Sequence, residues 1–479
     1  MRGLERELEE MREYYGSGKT KEAAWRENQL KGLRSFLLEK EEQILKALKQ
    51  DLGKHHIEAF RDEVGTLLKT LNFALESFKK WMAGKEAKLP RIALLSSAEI
   101  VPEPLGVILI ISSWSFPFGL SLEPVIGAVA AGNALVLKPS ELSPACSSLL
   151  STVLPTYLDN KAIKIIEGGP EVGEHLLQQK WDKIFFTGSE KAARNVMSAA
   201  VKHLTPVTLQ LGGKCPAVLD SLSSDWDREV AVKRIIVGKF GASAGQACRA
   251  IDYILVEKDY ACILVELMKV WIKKMLGENP KETNSIARIV NKQNLSRLKN
   301  LISDPRIKES LVWGGSVDEN DLFIEPTILV DPPLESEIMT DEIFGPLLPI
   351  ITVDKIEDSI EFISSRAKPL AIYVFTKNQT LQRRMVSETS SGCVIFNDAI
   401  VQDIAERVPF GGVGNSCFHT FSHEKAVARR SFYTDFWFRF PPWTIHKLQL
   451  TDRAYNLDYV GLLLVLLGLK RSKRTYIKL

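Results

Sequence analysis

Cys248 closes the run FGASAGQAC (240–248), in which glycines and small residues let the backbone approach a bound molecule and leave a thiol open at a loop or helix start. A thiolate there gains from uncommitted backbone N–H groups, and the neighbouring Arg249 favours the charged form further. That is the chemistry of a cysteine nucleophile. Cys146, Cys262 and Cys393 lie among apolar or small residues and read as inert buried thiols. Two more segments could hold a phosphorylated ligand. LVLKPSE (Leu135–Glu141) puts Lys138 and Glu141 just past an apolar strand, and IFFTGSE (Ile184–Glu190) puts Gly188 and Ser189 at a strand-to-helix turn. Neither is a GxGxxG fingerprint.

These residues need elements to hold them. Short apolar runs, Val107–Ile111, Ala134–Leu137, Ile163–Ile166, Lys183–Phe186 and Val207–Leu211, alternate with helical segments. Fully apolar strands alternating with helices predict a doubly wound α/β domain around a parallel sheet covered on both faces. Ser143-Pro144 reads as a capping serine followed by proline at the first helical position. Upstream, apolar residues at helical spacing predict one long amphipathic helix over Lys21–Lys49, and a second over Glu58–Met82. A second α/β region follows Lys214, with strands expected at Val312–Gly315, Phe323–Leu329 and Leu370–Phe375.

The chain of 479 residues is long for one core, so at least two core-bearing units are expected. Its 62 basic and 59 acidic residues are spread evenly, which argues against nucleic acid as a partner. Scattered cysteines without CxxC spacing argue against a metal site or disulfide framework, and the charged N-terminus against a signal peptide, so a cytoplasmic location is expected. Tyr459–Leu469 is apolar and is followed by Lys470, Arg471, Lys473, Arg474 and Lys478. It is too short to span a bilayer alone, and two readings stay open: a terminal helix docked on protein, or a tail making peripheral contact with an anionic membrane surface.

EAFRDEVG (Glu58–Gly65), LVLKPSELSP (Leu135–Pro144), IIEGGP (Ile165–Pro170), KIFFTGS (Lys183–Ser189), LTPVTLQLGGKCP (Leu204–Pro216), GQAC (Gly245–Cys248), EIFGPLLPI (Glu342–Ile350), SGCVIFND (Ser391–Asp398) and PFGGVG (Pro409–Gly414) together resemble the aldehyde dehydrogenase superfamily. The resemblance is strongest to its class 3 branch and to plant-like members, and it runs in the family's order over nearly the whole chain. It implies NAD(P)-dependent oxidation of medium- or long-chain aliphatic or aromatic aldehydes to acids through a Cys248 thioester. By likeness Lys138 and Glu141 hold the adenosine ribose, Gly188 and Ser189 lie near the pyrophosphate, Glu342 holds the nicotinamide ribose with Phe344 beside it, and Phe396 and Asn397 support the active-site wall. Glu141 would repel a 2′-phosphate, which favours NAD, with NADP the alternative.

The chain also departs from the pattern. The family's oxyanion donor is an Asn, where SWSFP (Ser113–Pro117) has Ser115; its general base is a Glu, where this chain has Gln210, an amide that cannot take a proton. Ala193 replaces a glycine of the pyrophosphate turn, Arg249 replaces a small residue, and a stretch the family carries after Asn415 is missing. These departures support a rival reading, a catalytically impaired paralogue acting as a cofactor-binding scaffold. The expected organisation is a nicotinamide-binding domain (1–80 and 100–210), a catalytic domain (211–395), a bridging oligomerisation element (81–99 and 396–440) and a tail (441–479), in a homodimer.

Overall fold

The computed structural model describes residues 2–89, 96–283, 285–402, 420–430, 444–455, 458–467 and 469. PFGGVG and the shortened junction after Asn415 lie outside the described residues. By its contacts the chain forms two units, Met1–Lys79 with Pro104–Ser422, and Lys80–Glu103 with His423–Leu479.

The first unit contains two parallel sheets. A five-stranded sheet is made of Val107–Ile111, Ala134–Lys138, Ile163–Ile165, Lys183–Gly188 and Val207–Leu211, all parallel. Counted along the chain, the order across it is 3-2-1-4-5. The reversal of direction therefore falls between Val107–Ile111 and Lys183–Gly188, where an open sheet of this kind leaves a crevice at its carboxyl edge.

A seven-stranded sheet runs in the order Leu311–Trp313, Thr327–Val330, Leu347–Val353, Ile251–Glu257, Cys215–Leu219, Ala371–Phe375, Cys393–Phe396. Only Leu311–Trp313 pairs antiparallel. Alternate residues of its strands serve opposite faces: Ala217 and Leu219 pack with Val232, Ile235, Leu264 and Met268 of the helices Asp225–Phe240 and Lys258–Leu276, while Val218 packs with Leu295, Leu298 and Leu301 of Lys292–Ser303. The expected strand Phe323–Leu329 is two, Phe323–Ile324 and Thr327–Val330, because Pro326 has no N–H to continue a ladder.

Four further local expectations are corrected. The helix read over Lys21–Lys49 is two, Ala23–Glu39 and Glu41–Leu52, broken at Lys40. Buried Leu37 and Ile44 lie two turns apart, so the apolar stripe stays in phase across the break and periodicity cannot reveal it. The stretch from Glu58 is interrupted by a π-helical turn, Phe60–Val64, before the helix Gly65–Met82. Ser143 does not cap with its side chain: the first N–H groups of Pro144–Thr152 are taken by Asp51, whose carboxylate accepts from Ala145 (3.1 Å) and Cys146 (2.8 Å). Cys262 is exposed on the outer face of Lys258–Leu276, while Cys146 is buried as expected.

The second unit carries Lys85–Glu86 and most of Ser96–Pro104 and Ser422–Arg430, which form a three-stranded sheet, and the helices Ile445–Tyr455 and Tyr459–Leu466.

Because Asp51 supplies two charge-assisted bonds to a buried helix start, Asp51→Ala should cost about 1–2 kcal/mol and lower the melting temperature, whereas Ser143→Ala should change it little. Thermal melts of the two variants check this.

Candidate active site

The carboxyl edge of the five-stranded sheet gathers the sequence-identified residues. Lys138 ends its strand, pairs with Glu141 at 2.9 Å and also donates to the Pro139 carbonyl (3.2 Å); Lys138 is buried and Glu141 partly exposed. Across the sheet Gly188 ends Lys183–Gly188, and Ser189 caps the helix Glu190–Ala200, its Oγ accepting from the Ala192 N–H at 3.3 Å. Between them the loop after Ile111 carries Trp114 and the buried Ser115. Gln210, also buried, lies beside Thr187 near the end of Val207–Leu211 and is followed by the turn Gly212–Gly213.

Cys248 is half-buried in the connection between Asp225–Phe240 and Ile251–Glu257. The backbone before it is unusual: Ser243, Ala244 and Gly245 have φ of 52°, 54° and 79°. Holding a residue with a Cβ in this left-handed region costs about 1–3 kcal/mol, so the surroundings must enforce it. Gln246, fully buried, does part of this: its amide donates to the carbonyls of Ser243 (2.8 Å) and Arg288 (2.9 Å) and accepts from the Val290 N–H (3.1 Å). Gly245 lies so close to the Gly345 carbonyl that an added Cβ would collide with it.

Four contacts bring the separate loops to one place. The Gly245 approach joins the cysteine loop to EIFGP. Glu342 of that segment accepts from the Gly213 N–H at 3.0 Å, and a Cβ on Gly212 would strike its carboxylate, which explains the Gly-Gly pair after Gln210. Phe344, itself at φ 50°, meets Trp114 edge to face at 5.4 Å between centroids. Cys215, just past the glycine turn, donates its thiol to the Cys248 carbonyl at 3.5 Å. Thus these contacts bring together the segments that carry Ser115, Gln210, Cys248, Glu342 and Phe344, while Lys138, Glu141, Gly188 and Ser189 lie along the carboxyl edge of the five-stranded sheet.

Burial pushes the Glu342 carboxyl up to about 7, helped by Asp252 and opposed by the Gly213 N–H, Lys214 and Lys239. Lys239 is fully buried, its Nζ has no hydrogen-bond partner among the described residues, and burial lowers its ammonium to about 8. Arg249 sits over the Phe116 ring at 5.9 Å, and its carbonyl accepts from Tyr373 Oη at 2.6 Å. Phe396 is partly buried and packs against the core of the larger sheet; Asn397, at φ 58°, accepts from the Thr376 N–H at 2.8 Å.

Sequence reasoning passed over a group that the structure places beneath this site. Lys54 and Glu63, both completely buried, pair at 2.7 Å; Lys54 also donates to the Ser115 carbonyl (3.2 Å) and lies over the Phe116 ring (4.2 Å). Glu63 accepts from the N–H groups of Phe118 (2.8 Å) and Gly119 (3.2 Å). Glu63 falls in a stretch that reads as an amphipathic helix, where a charge reads as solvated, and only the motif EAFRDEVG sets it apart; Lys54 lies outside that motif, in the connection after Glu41–Leu52.

A doubly wound parallel sheet with a topological switch point, beside a second α/β layer that carries a strained cysteine loop, is the architecture of an α/β enzyme. The family model for the aldehyde dehydrogenase family matches residues 4–435. Aldehyde dehydrogenase family 3 member F1 of Arabidopsis thaliana is 50% identical over 98% of this chain and 99% of its own length. Family 3 member A2 of Macaca fascicularis is 39% identical over 96% and 97%. A solved structure of the substrate-bound state of Staphylococcus aureus AldH superposes with a TM-score of 0.89 at 34% identity, covering 94% of this chain and 99% of that one. The chain belongs to the aldehyde dehydrogenase family, and its relatives among the family 3 members extend over nearly its full length.

Gly245→Ala adds both a collision with the Gly345 carbonyl and a left-handed penalty. It should lower stability by at least about 1–3 kcal/mol and abolish any aldehyde-dependent reduction of cofactor, as a melt and an absorbance assay would report.

Proposed function

We propose that this protein oxidises medium- or long-chain aliphatic or aromatic aldehydes to carboxylic acids through a thioester at Cys248, using NAD, with NADP as the second candidate. The observation that carries this reading is the packing of the Cys248 loop, the turn after Gln210, the Ser115 loop and the Glu342–Phe344 segment against one another. The residues fit a dinucleotide. Lys138 and the partly exposed Glu141 offer a donor and an acceptor for ribose hydroxyls, and the helix Glu190–Ala200 points its N-terminus at the sheet edge, where phosphate is favoured. Glu342 would hold the ribose next to the nicotinamide, and a bound nicotinamide would supply the acceptor for the hydride lost from the aldehyde carbon.

The Cys248 thiolate attacks the aldehyde carbonyl, forming a C–S bond as the carbonyl electrons move to oxygen. That oxyanion is held by the Cys248 N–H and, more weakly than by an amide, by the Ser115 hydroxyl; one lost donor costs on the order of 10²–10³ in rate. Loss of hydride from the same carbon leaves the thioester. Gln210 can orient the water that cleaves it but cannot take its proton, and lost base catalysis costs roughly 10²–10⁴. Hydrolysis therefore limits the cycle. Gln210 and Ser115 favour a second reading, a cofactor-binding scaffold with little turnover.

The proposed protein works in the cytoplasm as a homodimer. Its tail makes peripheral contact with anionic membranes. The helix Tyr459–Leu466 exposes Val460, Leu463 and Leu466 and continues to exposed Leu467 and Leu469; no helix among the described residues is long and apolar enough to cross a membrane. Deleting Tyr459–Leu479 should leave soluble protein that no longer co-sediments with anionic vesicles; loss of soluble protein would favour a docked helix instead.

With aldehyde and NAD in excess, the reading predicts a burst of reduced cofactor of at most about one equivalent per site and a slow steady state. Intact mass should rise by the acyl group, on Cys248. Gln210→Glu should raise the steady rate by roughly 10²-fold or more and leave the burst little changed, while Ser115→Asn should speed the burst. No burst in any variant, with cofactor still bound by calorimetry, would leave the scaffold reading.

A further inference from the structure

The segment Lys54–Gly65 touches both loops of the reactive crevice through different carboxylates. Glu63, with Lys54, serves the Ser115 side. Glu58, two residues before the π turn Phe60–Val64, faces the other way: its Oε1 accepts from the Ser243 N–H at 2.8 Å. Ser243 opens the left-handed run that leads to Cys248, and its N–H is the point where a group outside the cysteine loop grips that run.

We propose that Glu58 is a positioning residue for the nucleophile, and that its carboxylate, by holding the Ser243 N–H, couples the reactivity of Cys248 to the ionisation of a second group. The proposal rests on the reading of Cys248 as nucleophile. Glu58 is buried, and burial pushes its carboxyl up to about 7; Lys54 and the Ser243 N–H oppose this shift and Asp62 adds to it. The charged groups that face it are Lys54, Asp62 and Arg61 of its own segment, with Arg249 of the cysteine loop beyond Arg61; the loop itself presents the Ser243 N–H.

Above neutrality the bond to Ser243 is charge-assisted, shorter and about twice as strong as a neutral one. Below it the neutral carboxyl accepts weakly and the left-handed run loses its external hold. The stability effect has the opposite sign. A carboxyl whose folded value lies above its ordinary one is destabilising when ionised, so the fold loses stability as pH rises from the ordinary carboxylate range through about 7. A carboxylate kept there at that cost acts on the loop, not on the fold.

The test is the rate of Cys248 alkylation by iodoacetamide between about pH 5 and pH 9, followed by peptide mass. Wild type should rise with two ionisations, its logarithmic slope on the acid side exceeding one. Glu58→Gln keeps the shape and an acceptor but cannot ionise: its slope should fall to one and its rate near pH 8 by roughly three- to tenfold. Its melting temperature should gain on wild type as pH rises. Superimposable profiles for the two proteins would overturn the proposal while leaving Cys248 as nucleophile. Turnover by Cys248→Ser would overturn the nucleophile reading itself. Should Glu58→Gln fail to fold, hydrogen exchange of wild-type residues 242–247, corrected for intrinsic rates, decides: protection that rises through neutrality supports the proposal, and flat protection overturns it.

Discussion

An ammonium and a carboxylate sealed from water, Lys54 and Glu63, can persist in a core only when every remaining proton and lone pair is answered, since removing one partner of such a pair costs about 3–5 kcal/mol. Here the answers come from the Ser115 carbonyl and the Phe118 and Gly119 N–H groups. The demand of the ion pair for partners thus shapes the loop after Val107–Ile111. That loop carries Ser115 and sets Trp114 against Phe344. The same segment reaches the cysteine loop through Glu58. The π turn Phe60–Val64 follows Glu58 and contains Glu63, and the residue it inserts changes the faces on which the two carboxylates emerge.

Close backbone approach is the second constraint. Where the two parallel sheets meet, the chain has glycine at positions that a side chain would block: Gly212 beneath the Glu342 carboxylate and Gly245 against the Gly345 carbonyl. Dense packing there sets the loops that carry Glu342 and Cys248, both of the seven-stranded sheet, against the glycine turn after Gln210. It also excludes water, and exclusion of water is what raises the Glu342 carboxyl towards neutrality. Ser115 and Gln210 both lie inside this scaffold. Both are buried, and Gln210 stays in register opposite Thr187 in the parallel ladder.

Much of the architecture was legible in the residues. The five apolar runs from Val107 to Leu211 are the five parallel strands, because strands covered on both faces must be apolar throughout. Lys138, Gly188 and Ser189 were identifiable because they follow those strands directly. The break at Lys40 was hidden because the apolar stripe stays in phase across it, and the split at Pro326 could be read only once its strand partners were known. The capping role of Asp51 on a helix far along the chain, in place of Ser143, has no local signal at all.

The sequence by itself determined the layers, the family and the chemical identity of the reactive groups, since apolar periodicity, glycine placement and residue type are local properties. Tertiary structure decided which of those groups meet and in what state. Whether Glu58, Glu63, Lys54 and Lys239 are solvated or sealed depends on which faces of distant elements pack together, and the free energy of a charge depends on that burial far more than on its neighbours in the chain.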